Sequence, residues 1–354
     1  MTQTTPITLI IPQDLGGLRL DQALQKLLPE HSRSRLQQWI KDGLVTLDPP
    51  QAVTAKTKVW GGERLQVQVQ PAPDENAFEA EDIPLDVLFE DEHILVINKP
   101  AGLVVHPAAG NWSGTLLNAL LHHAPVVKDL PRAGIVHRLD KDTSGLLVVA
   151  KTLTAQTSLV RQLQARTVKR EYRAIVWGQV WQNGRIDQPI GRHPHARTKM
   201  AINRNGKPAV TRYEVLERFA VHTYLRCNLE TGRTHQIRVH MQHLKAPIVG
   251  DPVYGLKGIV PLRMMPQHLR DAVLNFERQA LHAVKLGLIH PASGEFMEWQ
   301  VELPADMKSL LEAMRLAPEE EIDLPFEFGD DLDEEELDEV YADDELLDDE
   351  DDID

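Results

Sequence analysis

A charge boundary near residue 318 limits what this chain can fold into more than any other feature. From Glu319 to Asp354 there are 22 Asp or Glu residues and no Lys or Arg. Like charges at that density repel, and the few apolar residues among them cannot bury enough surface to offset chain entropy. Residues 319–354 are therefore expected to form a disordered acidic tail, so a packed core has to come from residues 1–318. Subtracting those 22 acids from 53 leaves 31 against 38 Lys and Arg. The formal net charge of −15 thus hides a mildly basic body. A basic body suits a polyanion such as nucleic acid, and an ordinary solvated surface with a solubilising tail fits the same numbers. A tail that competes with RNA for the basic surface is the sharper alternative.

The body is long enough for two or three domains and a sizeable core. No apolar run approaches the roughly 18 residues of a membrane helix, and Met1 to Thr5 carries no basic region of a signal peptide. A single cysteine, Cys227, excludes an internal disulfide framework and any CxxC metal site. It is expected to be a packed thiol in a strand. A cytoplasmic location and no membrane partner follow as expectations.

Residues 1–15 are expected to be an irregular N-terminal segment. Residues 16–70 read as a small helix–helix–strand module. Leu20, Leu24, Leu27 and Leu28 line one face of a short helix that Pro29 stops. Ser32 caps a second helix over 33–42, carrying Leu36 and Ile40 and ended by Gly43. Residues 44–47 and 65–69 alternate as half-buried strands. Residues 71–80 read as a linker. Over 81–318, strands at 94–97, 145–150 and 171–177 and a helix at 154–164 do not alternate regularly. That irregularity predicts an α+β domain.

In the N-terminal module, Arg33 and Arg35 open the second helix and Lys41 lies near its end. Cations in a first turn oppose the helix dipole, which leaves them solvated or used by an external phosphate. The segments Arg19-Leu20-Asp21-Gln22-Ala23-Leu24, Ser32-Arg33-Ser34-Arg35 and Ile40-Lys41-Asp42-Gly43-Leu44-Val45 resemble the S4 RNA-binding domain in order and spacing. That resemblance favours RNA contact by Arg33, Arg35 and Lys41.

The richest segment runs from Gly134 to Lys151 and contains His137-Arg138-Leu139-Asp140 before a Thr-Ser-Gly turn. Loops present reactive groups, and Arg138 and Lys141 favour an ionised Asp140. A structural aspartate accepting turn hydrogen bonds fits the local sequence equally. The wider pattern decides. Residues 98–107 (NKPAGLVVHP), the HRLD segment, Lys169-Arg170-Glu171-Tyr172 and residues 230–240 (ETGRTHQIRVH) occur in the order seen in the RluA family of pseudouridine synthases. The resemblance spans about 18–305. It implies a pseudouridine synthase fold with a mixed, largely antiparallel central sheet and flanking helices, behind a small S4-like α/β RNA-binding domain. It also implies isomerisation of uridine in RNA, with helix 69 of 23S ribosomal RNA as the expected site and the RNA or large-subunit particle as partner. Asp140 would be the catalytic carboxylate, and Tyr172 would stack on the base and assist its deprotonation. Arg238 would pair with Asp140, and Arg138 would enter the RNA and stabilise the flipped-out uridine. If residues 230–240 form a strand, Arg233 and Arg238 point to opposite faces, and only one reaches Asp140.

No metal and no cofactor are expected. The histidine clusters (His122-His123, His193 with His195, His235 with His240) lack an HExxH or Cys-His grouping. Neither a GxxxxGK[ST] loop nor a GxGxxG after a strand occurs. A glycosidase would need a second acid, for which Asp142 is the nearest candidate. A monomer is expected. The same reaction on another ribosomal RNA site or a tRNA stem-loop, and a non-catalytic RNA-binding assembly protein, remain as alternatives.

Overall fold

The computed structural model describes residues 6–28, 33–48, 53–69, 78–107, 111–196, 199–256 and 265–317. The expected tail, Pro29, Ser32, most of the expected linker and the side chain of Arg35 lie outside the described residues. The chain divides into two compact units, residues 1–77 and 78–354.

The first unit contains β1 (Ile7–Ile10), α1 (Leu20–Leu27), α2 (Arg33–Lys41), β2 (Val45–Asp48) and β3 (Arg64–Val67). Its sheet has the antiparallel order β1-β3-β2. The strand β1 corrects the expectation that the N-terminal segment is irregular. Four residues are too few to show a period, and their partner strand lies far downstream, with Leu9 opposite Leu65. The apolar faces of both helices, Leu20, Leu24, Leu36 and Ile40, pack on Val45, Leu65 and Val67.

Within this unit Asp21 is fully buried. Its carboxylate accepts hydrogen bonds from Arg19 Nε at 3.0 Å, Arg33 Nη2 at 2.8 Å and Gln37 Nε2 at 2.6 Å. A first-turn Arg33 is thus satisfied inside the chain, a third possibility beside the solvated and phosphate-bound ones expected. Its side chain is still about half exposed, at 47%. Burial raises the Asp21 carboxyl pKa, but the bonds from Gln37, Arg33 and Arg19 outweigh burial and hold it below the ordinary value. Because the folded value is depressed, this stabilisation is present above the unfolded value near ~4 and is lost as pH falls through the folded value. Asp21→Asn is expected to cost the first unit about 2 kcal/mol at neutral pH. Urea unfolding of the full chain would show it as a lower midpoint for this unit, with the difference from wild type shrinking in acid.

The second unit contains β4 (Val87–Glu90), β5 (Ile94–Lys99), α3 (Leu116–His123), β6 (Ser144–Ala150), α4 (Leu153–Gln164), β7 (Lys169–Trp177), β8 (Gly184–Asp187), β9 (Ile190–Arg192), β10 (Met200–Ile202), β11 (Val210–Arg218), β12 (His222–Leu229), α5 (Gln236–His243), α6 (Gln267–Leu274), β13 (Leu281–Ile289), β14 (Phe296–Gln300) and α7 (Ala305–Arg315). Nine strands form one sheet in the order β4-β5-β6-β13-β7-β12-β11-β8, with β14 paired to β13. The pair β6–β13 is parallel and the other pairs are antiparallel. The expected mixed, largely antiparallel sheet of an α+β domain is what the chain forms.

Both faces of the sheet are covered. In β5 and β6, Leu95, Ile97, Leu147 and Val149 face one core, shared with α3, α5, α6 and α7. Ile94, Val96, Leu146 and Val148 face the other, shared with α4 and Trp299 of β14. This is the period of two expected of strands. Cys227 is fully buried, as expected of a packed thiol. Where β6 meets β13, Gly145 has φ +113, and a Cβ there would lie 2.2 Å from the Ala283 carbonyl oxygen. Only glycine permits that approach. The topology also positions the site. Strand β13 lies between β6 and β7, so the turn preceding β6 comes across from the middle of β7, near Tyr172 to Ala174, and β12 beside β7 delivers the loop leading into α5.

Candidate active site

Asp140 lies in the turn that precedes β6, and that turn is held from several sides. Thr143 N donates to Asp140 O at 3.1 Å. Lys99, fully buried at the end of β5, donates from Nζ to the carbonyls of Pro100 (2.8 Å), Leu103 (2.9 Å) and Lys141 (2.8 Å). Burial pushes its amine down to about 7, while the charges of Asp142 and Asp140 oppose that shift. Three carbonyl acceptors also match the three N–H groups of the ammonium form. Gln279 Nε2 donates to Thr143 Oγ1 at 3.1 Å, and Arg278 Nη1 to Asp142 O at 3.2 Å. The turn is rigid, yet the Asp140 carboxylate accepts from none of its own amides. Among the described residues its one hydrogen bond comes from Arg238 Nη1 at 3.1 Å, and its side chain is 16% exposed.

Arg238 projects from the first turn of α5, so the reading of residues 230–240 as a strand is corrected. The segment is a loop followed by a helix, and His235 enters it at φ 54. Only Arg238 reaches Asp140, as expected, but helix geometry rather than strand parity decides it. Arg233 turns away and donates from Nε to Pro208 O at 3.0 Å.

The guanidinium of Arg238 is shared between two carboxylates. Nε and Nη2 grip Asp251 in a fork at 2.7 and 2.8 Å, which leaves Nη1 for Asp140. Oδ1 of Asp251 also accepts from Val253 N (2.9 Å) and Tyr254 N (3.0 Å). Asp251 is therefore the turn-bound structural aspartate that Asp140 is not. Burial works against the charge on Arg238, and Asp251 with Asp140 outweighs it, raising the guanidinium pKa above its ordinary value. The Tyr254 ring lies 5.0 Å from the Arg238 guanidinium carbon, and its hydroxyl is 2.8 Å from His235 Nδ1. His235 Nε2 lies 4.0 Å from the second oxygen of Asp140. Asp251, Tyr254 and Lys99 were not singled out from sequence, and His235 was weighed only as a metal ligand. The only signal for Asp251 is the turn composition Gly250-Asp251-Pro252.

Tyr172 sits near the start of β7, between Cys227 of β12 and Ala283 of β13, and is 5% exposed. Burial raises its phenol pKa and the Asp140 charge adds to that, while the Arg170 charge acts the other way. Arg138 is exposed, with no hydrogen bond or ion pair among the described residues. Lys41 is exposed at the end of α2 in the first unit. Among the described residues, no three His, Cys, Asp or Glu side chains cluster as ligands of a metal ion would. No helix there is long and apolar enough to cross a membrane.

Removing one partner of a buried ion pair strands the other charge. Asp251→Asn is therefore expected to lower the stability of the second unit by about 3 kcal/mol. Urea denaturation followed by tryptophan fluorescence measures this, and an unchanged midpoint would show that Asp251 does not hold Arg238.

The RNA pseudouridylate synthase family model matches residues 93–243, which contain Asp140, Tyr172 and Arg238. The S4 domain model matches residues 18–64. The chain is 56% identical over 319 residues to ribosomal large subunit pseudouridine synthase D of Nitrosomonas europaea, covering 90% of this chain and 91% of that protein. Identity to the protein of the same name from Escherichia coli K12 is 51% over 323 residues, covering 91% and 98%. Among solved structures, human RNA pseudouridylate synthase domain containing 4 aligns with a TM-score of 0.51 at 27% identity, over 65% of this chain and 93% of that one. The chain belongs to the RNA pseudouridylate synthase family and carries an S4 domain ahead of its synthase domain.

Proposed function

We propose that this enzyme converts uridines of large-subunit ribosomal RNA to pseudouridine, with helix 69 of 23S ribosomal RNA as its site and Asp140 as the catalytic carboxylate. The observation that carries the reading is the state of Asp140. It is a carboxylate on a rigid turn, held by one buried arginine and by none of its own turn's amides. The names of the close relatives support a ribosomal substrate.

The reaction breaks the N1–C1′ bond of uridine, forms a C5–C1′ bond, and exchanges the proton on C5 for one on N1. It is an isomerisation and requires neither a redox partner nor a metal. Asp140 would act at C1′ or C6 or drive glycal formation, with Arg238 as its ion partner. Tyr172 would stack on the base and assist its later deprotonation, and burial, which raises its phenol pKa, keeps it a neutral phenol at neutral pH. Arg138, exposed two residues before Asp140, would enter the RNA and stabilise the extruded nucleotide.

We assign RNA contacts in the first unit to Lys41, to Arg35 and to the exposed part of Arg33. The functional division proposed is an S4-like module over 16–70, extended N-terminally by β1, a linker over 71–80, a synthase domain over 81–318 and an acidic tail over 319–354. The enzyme would act as a cytoplasmic monomer without metal.

The test is pseudouridine mapping of ribosomal and transfer RNA from cells lacking the protein, rescued with wild type or Asp140→Asn. Loss of sites in helix 69, restored by wild type alone, is the expected result. Restoration by Asp140→Asn would refute the role of Asp140. Loss confined to another RNA would refute the substrate.

A further inference from the structure

A second arginine beside the site is buried without a counter-charge. Arg170 is 9% exposed, and its Nε is sealed from solvent with no acceptor. Among the described residues its guanidinium makes no hydrogen bond and no ion pair. Sealing one N–H of a permanently charged group away from any acceptor is costly, and the Nη groups, which are not sealed, face open space with no partner among the described residues. Such a cost persists where a bound partner removes it.

Its position indicates the partner. Arg170 and Tyr172 are two residues apart on β7 and therefore share one face of the sheet. The guanidinium lies against the loop after β12, where a Cβ on Gly232 would be 2.6 Å from Nη1. Glycine at 232 is what lets it approach. Its charge acts on Tyr172 and on His137. His137 offers no counter-charge, because its Nε2 accepts from Val148 N at 3.2 Å and burial pushes its pKa down to about 3. The cation thus sits where the HRLD segment, the strand bearing Tyr172 and the loop leading to Arg238 converge.

The reaction proposed above, on which this inference rests, creates a transient anion at that place. When the N1–C1′ bond breaks, its electron pair stays on the base. The resulting uracil anion spreads its charge over N1, O2 and O4. The charge disappears when C5 attacks C1′; the C5 proton then leaves to a base as N1 takes up a proton, which gives the neutral isomer. We propose that Arg170 is the cation that stabilises the departing uracil, donating N–H to a carbonyl oxygen of the base stacked on Tyr172. A fixed donor in a dry site favours the charged intermediate over neutral bound uridine, so it speeds bond cleavage more than it tightens binding.

Leaving-group acidity separates this role from a structural one. Fluorine at C5 stabilises the detached base as an anion and reduces its need for an external cation. The experiment uses single-turnover rates per mole of folded full-length enzyme on a transcript of the RNA found by mapping, carrying uridine or 5-fluorouridine at the target. Arg170→Met is expected to slow N1–C1′ cleavage of the uridine RNA roughly 10²-fold, and of the 5-fluorouridine RNA less than about 10-fold. Arg170→Lys keeps a cation and should keep the wild-type ratio between the two substrates. Gly232→Ala, which leaves Arg170 in the chain but displaces its guanidinium, should shift the ratio in the same direction as Arg170→Met, by less. Equal slowing on both substrates would overturn the proposal and make Arg170 a prop for the loop. Wild type leaving the uridine unchanged would overturn the proposed reaction, and this inference with it.

Discussion

One guanidinium shared by two carboxylates sets the geometry of the site. Arg238 spends the two donors of its fork on Asp251, which is itself locked by the amides of Val253 and Tyr254. The remaining Nη1 has one direction left, and Asp140 lies there. The same cation therefore bridges both acidic side chains, and the second oxygen of Asp140 lies 4.0 Å from His235 Nε2. The arrangement costs less than an isolated buried charge because three of the five N–H donors of the shared guanidinium meet carboxylate oxygens and the Tyr254 ring lies 5.0 Å from its central carbon.

The sheet makes that sharing possible. Asp140 precedes β6 and Tyr172 lies within β7, two strands separated by β13, which comes more than 100 residues later in the sequence and pairs parallel with β6 on one side and antiparallel with β7 on the other. The close approach at Gly145 keeps the turn before β6 tight against β13. On the far side of β7, strand β12 ends in the loop that starts α5 and aims Arg238 back across the sheet. Rigid strands carry the reacting groups, and buried Lys99 fixes the one turn that would otherwise be loose.

Much of this was legible in the residues, and the failures share one cause. The apolar runs Ile94 to Ile97 and Gly145 to Ala150 announced buried strands, and the order of four motifs announced the family and brought forward Asp140, Tyr172 and Arg238. What sequence could not show was partnership at a distance. Arg33 looked unsatisfied in a helix first turn because its partner, Asp21, sits on the preceding helix. Strand β1 looked irregular because its ladder is with β3. Asp251 looked like any turn aspartate, since only the fold brings it to Arg238. The segment around Arg238 lacks a long apolar period, so a short helix entered through a left-handed His235 was taken for a strand. Arg170, inside a motif already in view, drew no notice until its burial without an acceptor was visible.

Coupling between Asp251 and Arg238 in the chemical step tests the shared-guanidinium arrangement most directly. Single-turnover pseudouridine formation would be measured for Asp251→Asn, Arg238→Lys and the double variant. If Asp251 acts on Asp140 only by aiming Arg238, the double variant should be no slower than Arg238→Lys alone, a strongly non-additive cycle. Losses that simply multiply would contradict it, because Asp251 would then act on the reaction by a route that does not pass through Arg238.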